Sequence, residues 1–184
     1  MLLALAGVTG VGKSYFKDRI VEKLNFEKIK IITTREIRIG EKNNEDKIFV
    51  TQEELQKLKD SNTIAYDFNL LGNNYAYSKE ALFSDRNTVF ELHYSTISDL
   101  KKICPNMIAI YILPTNIEMA KEQTKRRHLD KEVEKNRLLE IDEHYRNILS
   151  NDNLRKKFDY IIYNNYDKES ENRIIELVKN LLNK

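Results

Sequence analysis

The sequence predicts an α/β fold in which a parallel sheet is flanked by helices on both faces. Two observations favour this fold: short apolar runs alternate with helical patterns, and the first run leads into a glycine-rich loop. The 184 residues, with an apolar fraction of 41%, suit one domain with an ordinary core. Segment 33–83 breaks the alternation because it is polar and lacks a strongly buried strand, so we interpret it as an insertion beside the sheet.

The elements can be assigned in chain order from periodicity and from helix-start signals. Thr51-Gln-Glu-Glu54 and Thr115-Asn-Ile-Glu118 match the capping box, in which a threonine and a glutamate satisfy free backbone N–H groups at a helix start. The apolar runs that we interpret as strand candidates are 2–6, 29–32, 88–92, 107–113 and 159–163. Helical patterns cover 14–24, the residues after each capping box, a long polar stretch at 121–149, and 174–182.

Charge, cysteine content and the chain start narrow the function classes. Lys and Arg number 31 against 29 Asp and Glu, and this net charge of +2 gives no global basic field that would indicate nucleic acid. Cys104 is the single cysteine, so an intrachain disulfide is excluded, a cysteine metal cluster is not expected, and a reducing, cytoplasmic setting fits. The opening apolar run 1–6 is too short for a signal peptide or a membrane span, and we expect no membrane partner. His128 and His144 lack the spacing of a metal pair, so we interpret them as exposed histidines.

The loop GVTGVGKS, residues 7–14, fits the phosphate-binding pattern G-x-x-x-x-G-K-S. Its glycines permit positive φ, and the backbone N–H groups can then surround an anion, here those of Thr9, Gly10, Val11 and Gly12. The helix that follows adds the positive end of its dipole. Lys13 would reach the β- and γ-phosphates, and the Ser14 hydroxyl would ligate Mg²⁺. The loop therefore predicts a nucleoside triphosphate, such as ATP, bound with Mg²⁺.

A second anion site is indicated by Arg35 and Arg38, which lie in a segment that we interpret as a loop. Guanidinium groups suit a phosphate because each can donate two parallel hydrogen bonds. On their own, the two arginines are a weak signal, because a pair of surface arginines is usually solvated.

The wider stretch TTREIRIGE, residues 33–41, resembles the Thr-Thr-Arg-x-x-Arg-x-Gly-Glu motif of the guanylate kinase family. LLGNNYAYS at 70–78 resembles that family's Gly-Asn-x-Tyr-Gly-Ser/Thr segment, and FDYIIYNN at 158–165 resembles its closing strand. The resemblance runs nearly end to end. It implies a P-loop core (1–32, 84–120 and 138–184), an inserted region that binds a nucleoside monophosphate (33–83), and a short helical lid (121–137).

The resemblance also implies a reaction, the transfer of the ATP γ-phosphate to a nucleoside monophosphate. Arg35, Arg38 and the Tyr75 hydroxyl would hold the acceptor phosphate. Glu91 would lie near the metal and the acceptor. Phosphoryl transfer of this kind depends on aligning two phosphates and neutralising their charge, and it needs little covalent help from the protein.

Arg127 and Arg137 fall where the family carries lid arginines, which would steady the transferred phosphoryl group. A solvated, charged helix face is the alternative for both residues. The catalytic residues that the resemblance implies are Lys13, Arg35, Arg127 and Arg137.

The positions with which the family reads guanine are altered in this chain. A serine, a glutamate, a hydroxyl residue and an acidic residue of the family are replaced by Ile31, Tyr66, Tyr77 and His93. Unpaired buried donors cost on the order of several kcal/mol, so we expect an acceptor other than GMP or a different mode of GMP binding. Asp67 could replace the glutamate after a one-residue shift. Tyr66 and Tyr77 could instead stack on a different base or pack against the insertion.

Two other functions are compatible with a chain of this kind. A guanylate-kinase-like fold also serves kinases of the ribose bisphosphate type, which read no base. Guanylate-kinase-like domains of scaffolding proteins bind phosphorylated ligands without catalysis, although their P-loops are characteristically degraded. The expected partners are ATP, Mg²⁺ and a phosphorylated small-molecule acceptor, and the sequence indicates no oligomeric state.

Overall fold

A computed structural model describes residues 1–38, 40–127 and 130–183. Its strands are β1 (Leu2–Gly7), β2 (Glu27–Lys28), β3 (Ile31–Thr33), β4 (Lys47–Phe49), β5 (Ile64–Leu70), β6 (Asn73–Ser78), β7 (Thr88–Glu91), β8 (Ile108–Pro114) and β9 (Tyr160–Asn164). Its helices are α1 (Lys13–Leu24), α2 (Gln52–Asp60), α3 (Lys79–Leu82), α4 (Ile97–Ile103), α5 (Ile117–Lys125), α6 (Lys131–Ser150), α7 (Asp152–Arg155) and α8 (Lys168–Leu182), and a 3-10 turn spans Tyr94–Thr96.

The main sheet has five parallel strands in the order β2-β7-β1-β8-β9. Its central strand β1 is buried on both faces. Leu3 and Leu5 pack with residues of α1 and α8, whereas Ala4 and Ala6 pack on the other side with residues of α4. Burial on both faces explains why this strand is a continuous apolar run without alternation. The sheet confirms the predicted α/β fold with helices on both faces.

The carboxyl ends of the parallel strands meet at one edge of this sheet, which is where ligands bind in such folds. β1 ends at Gly7 before the glycine-rich loop, β7 ends at Glu91, and β9 ends at Asn164. Residues from three separate parts of the sequence therefore meet at this edge.

The segment interpreted as an insertion contains a sheet of its own, which the sequence interpretation missed. Its strand order is β4-β3-β6-β5, and only β3 and β4 are parallel to each other. Most of its residues are half-buried, because its own core is small and centres on Ile32, Leu55 and Ala76. The predicted strand 29–32 does not form as one strand: β2 ends at Lys28, residues 29–30 lie in neither sheet, and Ile31 and Ile32 begin β3 of the second sheet.

Two helix predictions need correction. The stretch 121–149 is not one helix, because α5 ends at Lys125 and α6 begins at Lys131. The second capping box is also wrong: Asn116, and not Thr115, caps α5 by accepting from the Glu118 backbone N–H. The first box is confirmed, with Thr51 and Glu54 satisfying each other's backbone N–H groups at the start of α2.

No helix within the described ranges has the length and apolar character that crossing a bilayer requires.

Candidate active site

The glycine-rich loop between β1 and α1 takes a conformation that requires glycine. Gly10 has φ +80°, and a Cβ built there would lie 2.2 Å from the Ala120 carbonyl oxygen and 2.7 Å from Thr124 Oγ1. Gly12 has φ +92°. Left-handed backbone at these positions turns successive N–H groups inward, and helix α5 lies directly against the loop.

The start of α1 carries the features of an anion site. No described side chain caps this helix, and its first turn contains no acidic residue, so its first N–H groups face the loop interior. Lys13 Nζ donates to the carbonyl oxygens of Gly7 and Val8, both at 2.9 Å. Burial lowers the pKa of Lys13. The ammonium group is therefore held at the loop by backbone carbonyls.

Two residues that the sequence analysis did not single out support the loop from behind. Asn164 Nδ2 donates to the Val11 carbonyl at 3.0 Å, and the Tyr166 hydroxyl donates to the Gly10 carbonyl at 3.2 Å. Asn164 Oδ1 also accepts from the Tyr166 backbone N–H at 2.8 Å. The only sequence signal for them is their position at the end of the last strand, where parallel strands place ligand-facing residues.

A cleft of about 1020 Å³, which we call the large cleft, opens over the loop. It brings together residues that the sequence predicted for a triphosphate site with both predicted lid arginines. Its walls include Thr9, Gly10, Gly12, Lys13, Ser14, Arg38, Arg127 and Arg137. Val11 lies in the apolar core, so it contributes only its backbone to the loop. His128 lies outside the described residues.

One buried basic side chain and two half-buried acidic side chains form a charge cluster beside the loop. Lys17 is 4% exposed, and its ammonium lies 3.0 Å from both Glu91 Oε1 and Asp46 Oδ1. Burial alone would raise the pKa of Glu91, but the ammonium groups of Lys17 and Lys13 outweigh it and hold that pKa below its ordinary value. The same balance, with Lys17 as the main opposing charge, lowers the pKa of Asp46. Both carboxylates are therefore charged near pH 7.

This cluster fits a hard cation such as Mg²⁺. Ser14 and Glu91 both line the large cleft, so a hydroxyl and a carboxylate are available on the same wall. Asp46 Oδ1 is buried and, although Lys17 is close, accepts no hydrogen bond among the described residues. Oxygen donors of this kind are the ligands that Mg²⁺ prefers.

Arg35 and Arg38 are placed differently from each other. Arg35 is 9% exposed, and its NH2 group donates to both carboxylate oxygens of Glu41 at 2.8 Å. Glu41 also accepts from Lys47 Nζ at 3.2 Å and from the Arg38 backbone N–H at 3.0 Å. The Arg38 side chain lines the large cleft, whereas Arg35 lines neither described cavity. Glu41, the partner of Arg35, was not predicted from the sequence.

A second cavity of about 220 Å³, which we call the small cavity, adjoins the large cleft between the main sheet and the insertion. Aromatic rings form part of its wall: Phe68 stacks against Tyr75 at 5.4 Å and against Tyr77 at 6.2 Å. Ile31 extends the apolar wall. Tyr77 is 1% exposed, and its hydroxyl donates to the Glu91 carbonyl at 3.0 Å. This hydroxyl is thus occupied within the protein.

Polar side chains occupy one end of the small cavity. His93, Glu140 and His144 line it together with Arg137, whose NH1 group donates to Glu140 Oε2 at 2.5 Å. Burial, with the neighbouring His144, lowers the pKa of His93 to about 4. His144 is not exposed as expected, because its side chain is only 12% exposed and its ring packs edge-on against Tyr94.

The geometry of this site can be compared with known proteins. A sequence model of the guanylate kinase family matches residues 1–182. The chain belongs to the guanylate kinase family. The guanylate kinase of Lactobacillus delbrueckii subsp. bulgaricus is 30% identical to it over 138 residues, covering 72% of this chain and 68% of that relative. The guanylate kinase of Clostridioides difficile is 24% identical over 190 residues, covering 100% of this chain and 89% of that relative.

Solved structures show the same fold. A crystal structure of guanylate kinase from Anaplasma phagocytophilum has a TM-score of 0.73 at 22% identity, covering 97% of this chain and 84% of that one. Shikimate kinase from Acinetobacter baumannii, solved with shikimate, has a TM-score of 0.51 at 18% identity, covering 98% and 92%. Membership of the guanylate kinase family makes this chain a nucleoside monophosphate kinase with ATP as its co-substrate.

Within this guanylate kinase fold, two predicted acceptor residues lie apart from both cavities. The Tyr66 hydroxyl lies 3.5 Å from Asp99 Oδ2, and its ring stacks on Phe68 from outside. Asp67 forms an ion pair with Lys59 on the exposed face of the insertion. Neither side chain lines the large cleft or the small cavity. Alternation along β5 turns Asp67 to the face opposite Phe68. Tyr66 shares the face of Phe68 but lies two residues further back along the strand, beside Asp99 of α4.

Proposed function

We propose that the protein transfers the γ-phosphate of ATP, with Mg²⁺, to a nucleoside monophosphate whose base occupies the small cavity. The observation that supports this most directly is that the two cavities meet, since Lys13, Glu91 and Arg137 line both. A donor phosphate in the P-loop and an acceptor phosphate at the mouth of the small cavity would lie side by side. In-line phosphoryl transfer requires this arrangement.

Each charged group would then have a distinct task. Lys13 would exchange its two backbone carbonyl contacts for phosphate oxygens. Ser14 and the carboxylates of Asp46 and Glu91 would hold Mg²⁺, which supplies charge neutralisation on the phosphates when it is bound. Arg127 and Arg137 would approach the transferred group from the α5–α6 side and would help to exclude water.

The acceptor phosphate would be bound mainly by Arg38, the Tyr75 hydroxyl and Lys47, all of which line one or both cavities. Arg35 would act differently in this proposal. Its bidentate pair with Glu41 orients the loop that carries Arg38, because Glu41 also accepts from the Arg38 backbone N–H. A direct contact between Arg35 and phosphate would require this pair to open.

The proposal includes an acceptor base with few hydrogen-bonding groups. A guanine in the small cavity would meet the apolar side chain of Ile31 and the occupied hydroxyl of Tyr77. Polar groups of guanine that face these two side chains would lose hydrogen bonds to water without replacement, which costs about 1–3 kcal/mol for each unpaired group. Partners for the base are confined to the polar end of the cavity, at His93, Glu140 and His144. The stacked rings of Phe68 and Tyr75 would favour a flat base of any kind. The single cysteine suits a reducing compartment, so the proposal locates this reaction in the cytoplasm.

The experiment is an acceptor panel with the full chain, ATP and Mg²⁺, following ADP release. The panel contains the common ribonucleoside and deoxyribonucleoside monophosphates, GMP included, and ribose 1,5-bisphosphate. We expect acceptor-dependent ADP with at least one monophosphate and a kcat/KM for GMP below the best value. Lys13→Met should abolish the signal, whereas Lys102→Met, the same change at a 77% exposed side chain, serves as the matched control.

Each outcome of the panel bears on a separate part of the proposal. Absence of acceptor-dependent ADP with every compound would refute the kinase function. Activity confined to ribose 1,5-bisphosphate would refute the base-binding role of the small cavity. A clear preference for GMP over all other acceptors would leave the kinase function in place and refute the proposed discrimination against guanine.

A further inference from the structure

Three side chains of metal-ligating type meet at the polar end of the small cavity. His93 follows strand β7, and Glu140 and His144 lie on helix α6. One ligand atom of each lies within 4.8 Å of the other two. The spacing of Glu140 and His144 places them on the same face of the helix, one turn apart. Two separate elements thus direct their donor atoms at one point.

Each of the three groups already has a second contact that orients it. His93 Nδ1 lies 2.7 Å from Ser95 Oγ, so its Nε2 is the nitrogen available to a ligand. The His144 ring is 4.5 Å from the Tyr94 ring and nearly perpendicular to it. Arg137 binds Glu140 through Oε2, and Oε1 lies 4.0 Å from His144 Nδ1. Outer contacts of this kind are typical of metal-ligating histidines and carboxylates.

We propose that His93, Glu140 and His144 bind one transition-metal dication, for which Zn²⁺ is the best match. Two imidazole nitrogens and one carboxylate oxygen are a donor set that Zn²⁺ accepts in tetrahedral sites, with solvent at the fourth position. Mg²⁺ is a poorer match because it prefers oxygen ligands in an octahedral arrangement.

The geometry needs only a small adjustment. Tetrahedral coordination with bonds of about 2.1 Å separates two ligand atoms by about 3.4 Å. The 4.0 Å between Glu140 Oε1 and His144 Nδ1 is within reach of that value by side-chain rotation. The cavity in front of the three groups, about 220 Å³, leaves room for the ion and its water when no acceptor is bound, so the ion and an acceptor base would compete for the polar end of the small cavity.

Basic side chains around the three ligands lower the affinity of this site for a dication. Arg137 and Lys13 line the same cavity and oppose an incoming dication. Glu140 offsets part of this because its second oxygen keeps Arg137 paired while the first can face the metal. We therefore expect Zn²⁺ to bind more weakly here than at a site of the same ligands without basic neighbours.

A bound ion would add a coordination link between two parts of the fold that already touch through the His144 and Tyr94 rings. His93 belongs to the turn after β7, and α6 continues from the region of the predicted lid. Metal binding would fix the helix that carries Arg137 against the central sheet. The measurable consequence is a higher unfolding temperature in the presence of Zn²⁺, since a ligand that binds only the folded state stabilises it.

The test is calorimetric titration of the metal-free full chain with Zn²⁺ in a non-chelating buffer, together with absorption spectra of the Co²⁺-loaded protein. We expect one saturable site, tetrahedral Co²⁺ absorption bands and a Zn²⁺-dependent rise in melting temperature. Glu140→Gln and His144→Gln should each weaken binding at least about 10-fold. Glu143 lies three residues after Glu140 on the same helix, and its side chain is exposed. Glu143→Gln removes the same charge and should leave Zn²⁺ binding within about 2-fold of wild type.

Several results would overturn the proposal. Absence of saturable Zn²⁺ binding to the wild type would do so, as would octahedral Co²⁺ spectra. The proposal also fails when neither Glu140→Gln nor His144→Gln weakens binding, or when Glu143→Gln weakens it as much. Far-ultraviolet circular dichroism of each variant identifies a folding defect. The Co²⁺ spectrum is measured on the wild type, so it tests the site even when a variant fails to fold.

Discussion

Replacing Lys17 with methionine should strongly destabilise this protein. Lys17 is 4% exposed and is the shared partner of Glu91 and Asp46, at 3.0 Å from each. Its loss removes the ammonium between the two carboxylates: Glu91 loses its ion-pair partner, whereas Asp46 keeps Lys28 at 3.3 Å. Breaking a buried ion pair in this way costs about 3–5 kcal/mol. The two carboxylate side chains are about one-third exposed, at 31% and 36%, so we expect the lower end, about 3 kcal/mol.

The size of the chain converts this loss into a measurable shift. In a domain of this length, 1 kcal/mol corresponds to about 2–4 °C in melting temperature. Lys17→Met should therefore lower Tm by roughly 6–12 °C at pH 7. The control is Lys102→Met, whose partner Asp99 is a surface neighbour, and whose expected cost is about 0–1 kcal/mol. Thermal and urea unfolding of wild type and both variants provide the measurement.

The pH dependence tests the cause of the effect. The folded-state pKa values of Glu91 and Asp46 are lowered, so their stabilisation is complete above the unfolded values of about 4 and is lost as pH falls further. Protonated carboxyl groups are neutral, so the Lys17 ammonium no longer stabilises them in the folded protein. The stability difference between wild type and Lys17→Met should therefore shrink as the pH is lowered below about 4. A difference that is unchanged between pH 7 and low pH, or no larger than for Lys102→Met, would refute the electrostatic explanation.

Three further predictions concern the loop and the last helix. Gly10→Ala places a Cβ 2.2 Å from the Ala120 carbonyl oxygen at a residue with φ +80°. ATP affinity measured by calorimetry should therefore fall at least about 10-fold. Unchanged affinity would show that the loop tolerates a side chain at this position. Asn164→Ala removes the donor to the Val11 carbonyl and should cost about 1–3 kcal/mol in urea unfolding while weakening ATP binding, whereas Asn165→Ala beside it should not. Glu171 is 1% exposed and accepts hydrogen bonds from Lys168, Lys23 and Tyr15, which lower its pKa from 4.5 to about 2. The stability advantage of the wild type over Glu171→Gln should therefore be complete above pH 4.5 and vanish as the pH approaches 2. An advantage that persists at pH 2 would contradict this assignment.

The parts of the site that follow from local chemistry could be predicted from the sequence. The P-loop is recognisable because glycine, lysine and serine must occur at fixed spacing for the backbone to surround a phosphate. The main sheet is also recognisable, because strands buried on both faces are continuous apolar runs. β8, Ile108–Pro114, is the clearest of them and differs from the predicted run 107–113 by one residue at each end.

The parts that depend on pairing across the chain could not be predicted. His93 and Glu140 come from different elements, and nothing in either local sequence indicates that α6 packs against the turn after β7. The second sheet was missed because its strands are half-buried and share a small core, so their patterns are weakly apolar. Asp67 was a reasonable acceptor residue on spacing alone, but strand alternation turns it toward Lys59 and solvent.

The contact between Lys13 and the carbonyls of Gly7 and Val8 has a consequence for how the loop receives its ligand. The ammonium group is already partly shielded from water and is held in one orientation by two hydrogen bonds of 2.9 Å. Desolvating and ordering a free lysine would otherwise be part of the free energy of binding, and side-chain ordering alone is worth about 1.5–2 kcal/mol. Here the ordering and part of the desolvation take place when the chain folds. The arriving triphosphate has only to replace neutral carbonyl acceptors with charged oxygens, which form stronger hydrogen bonds with an ammonium group.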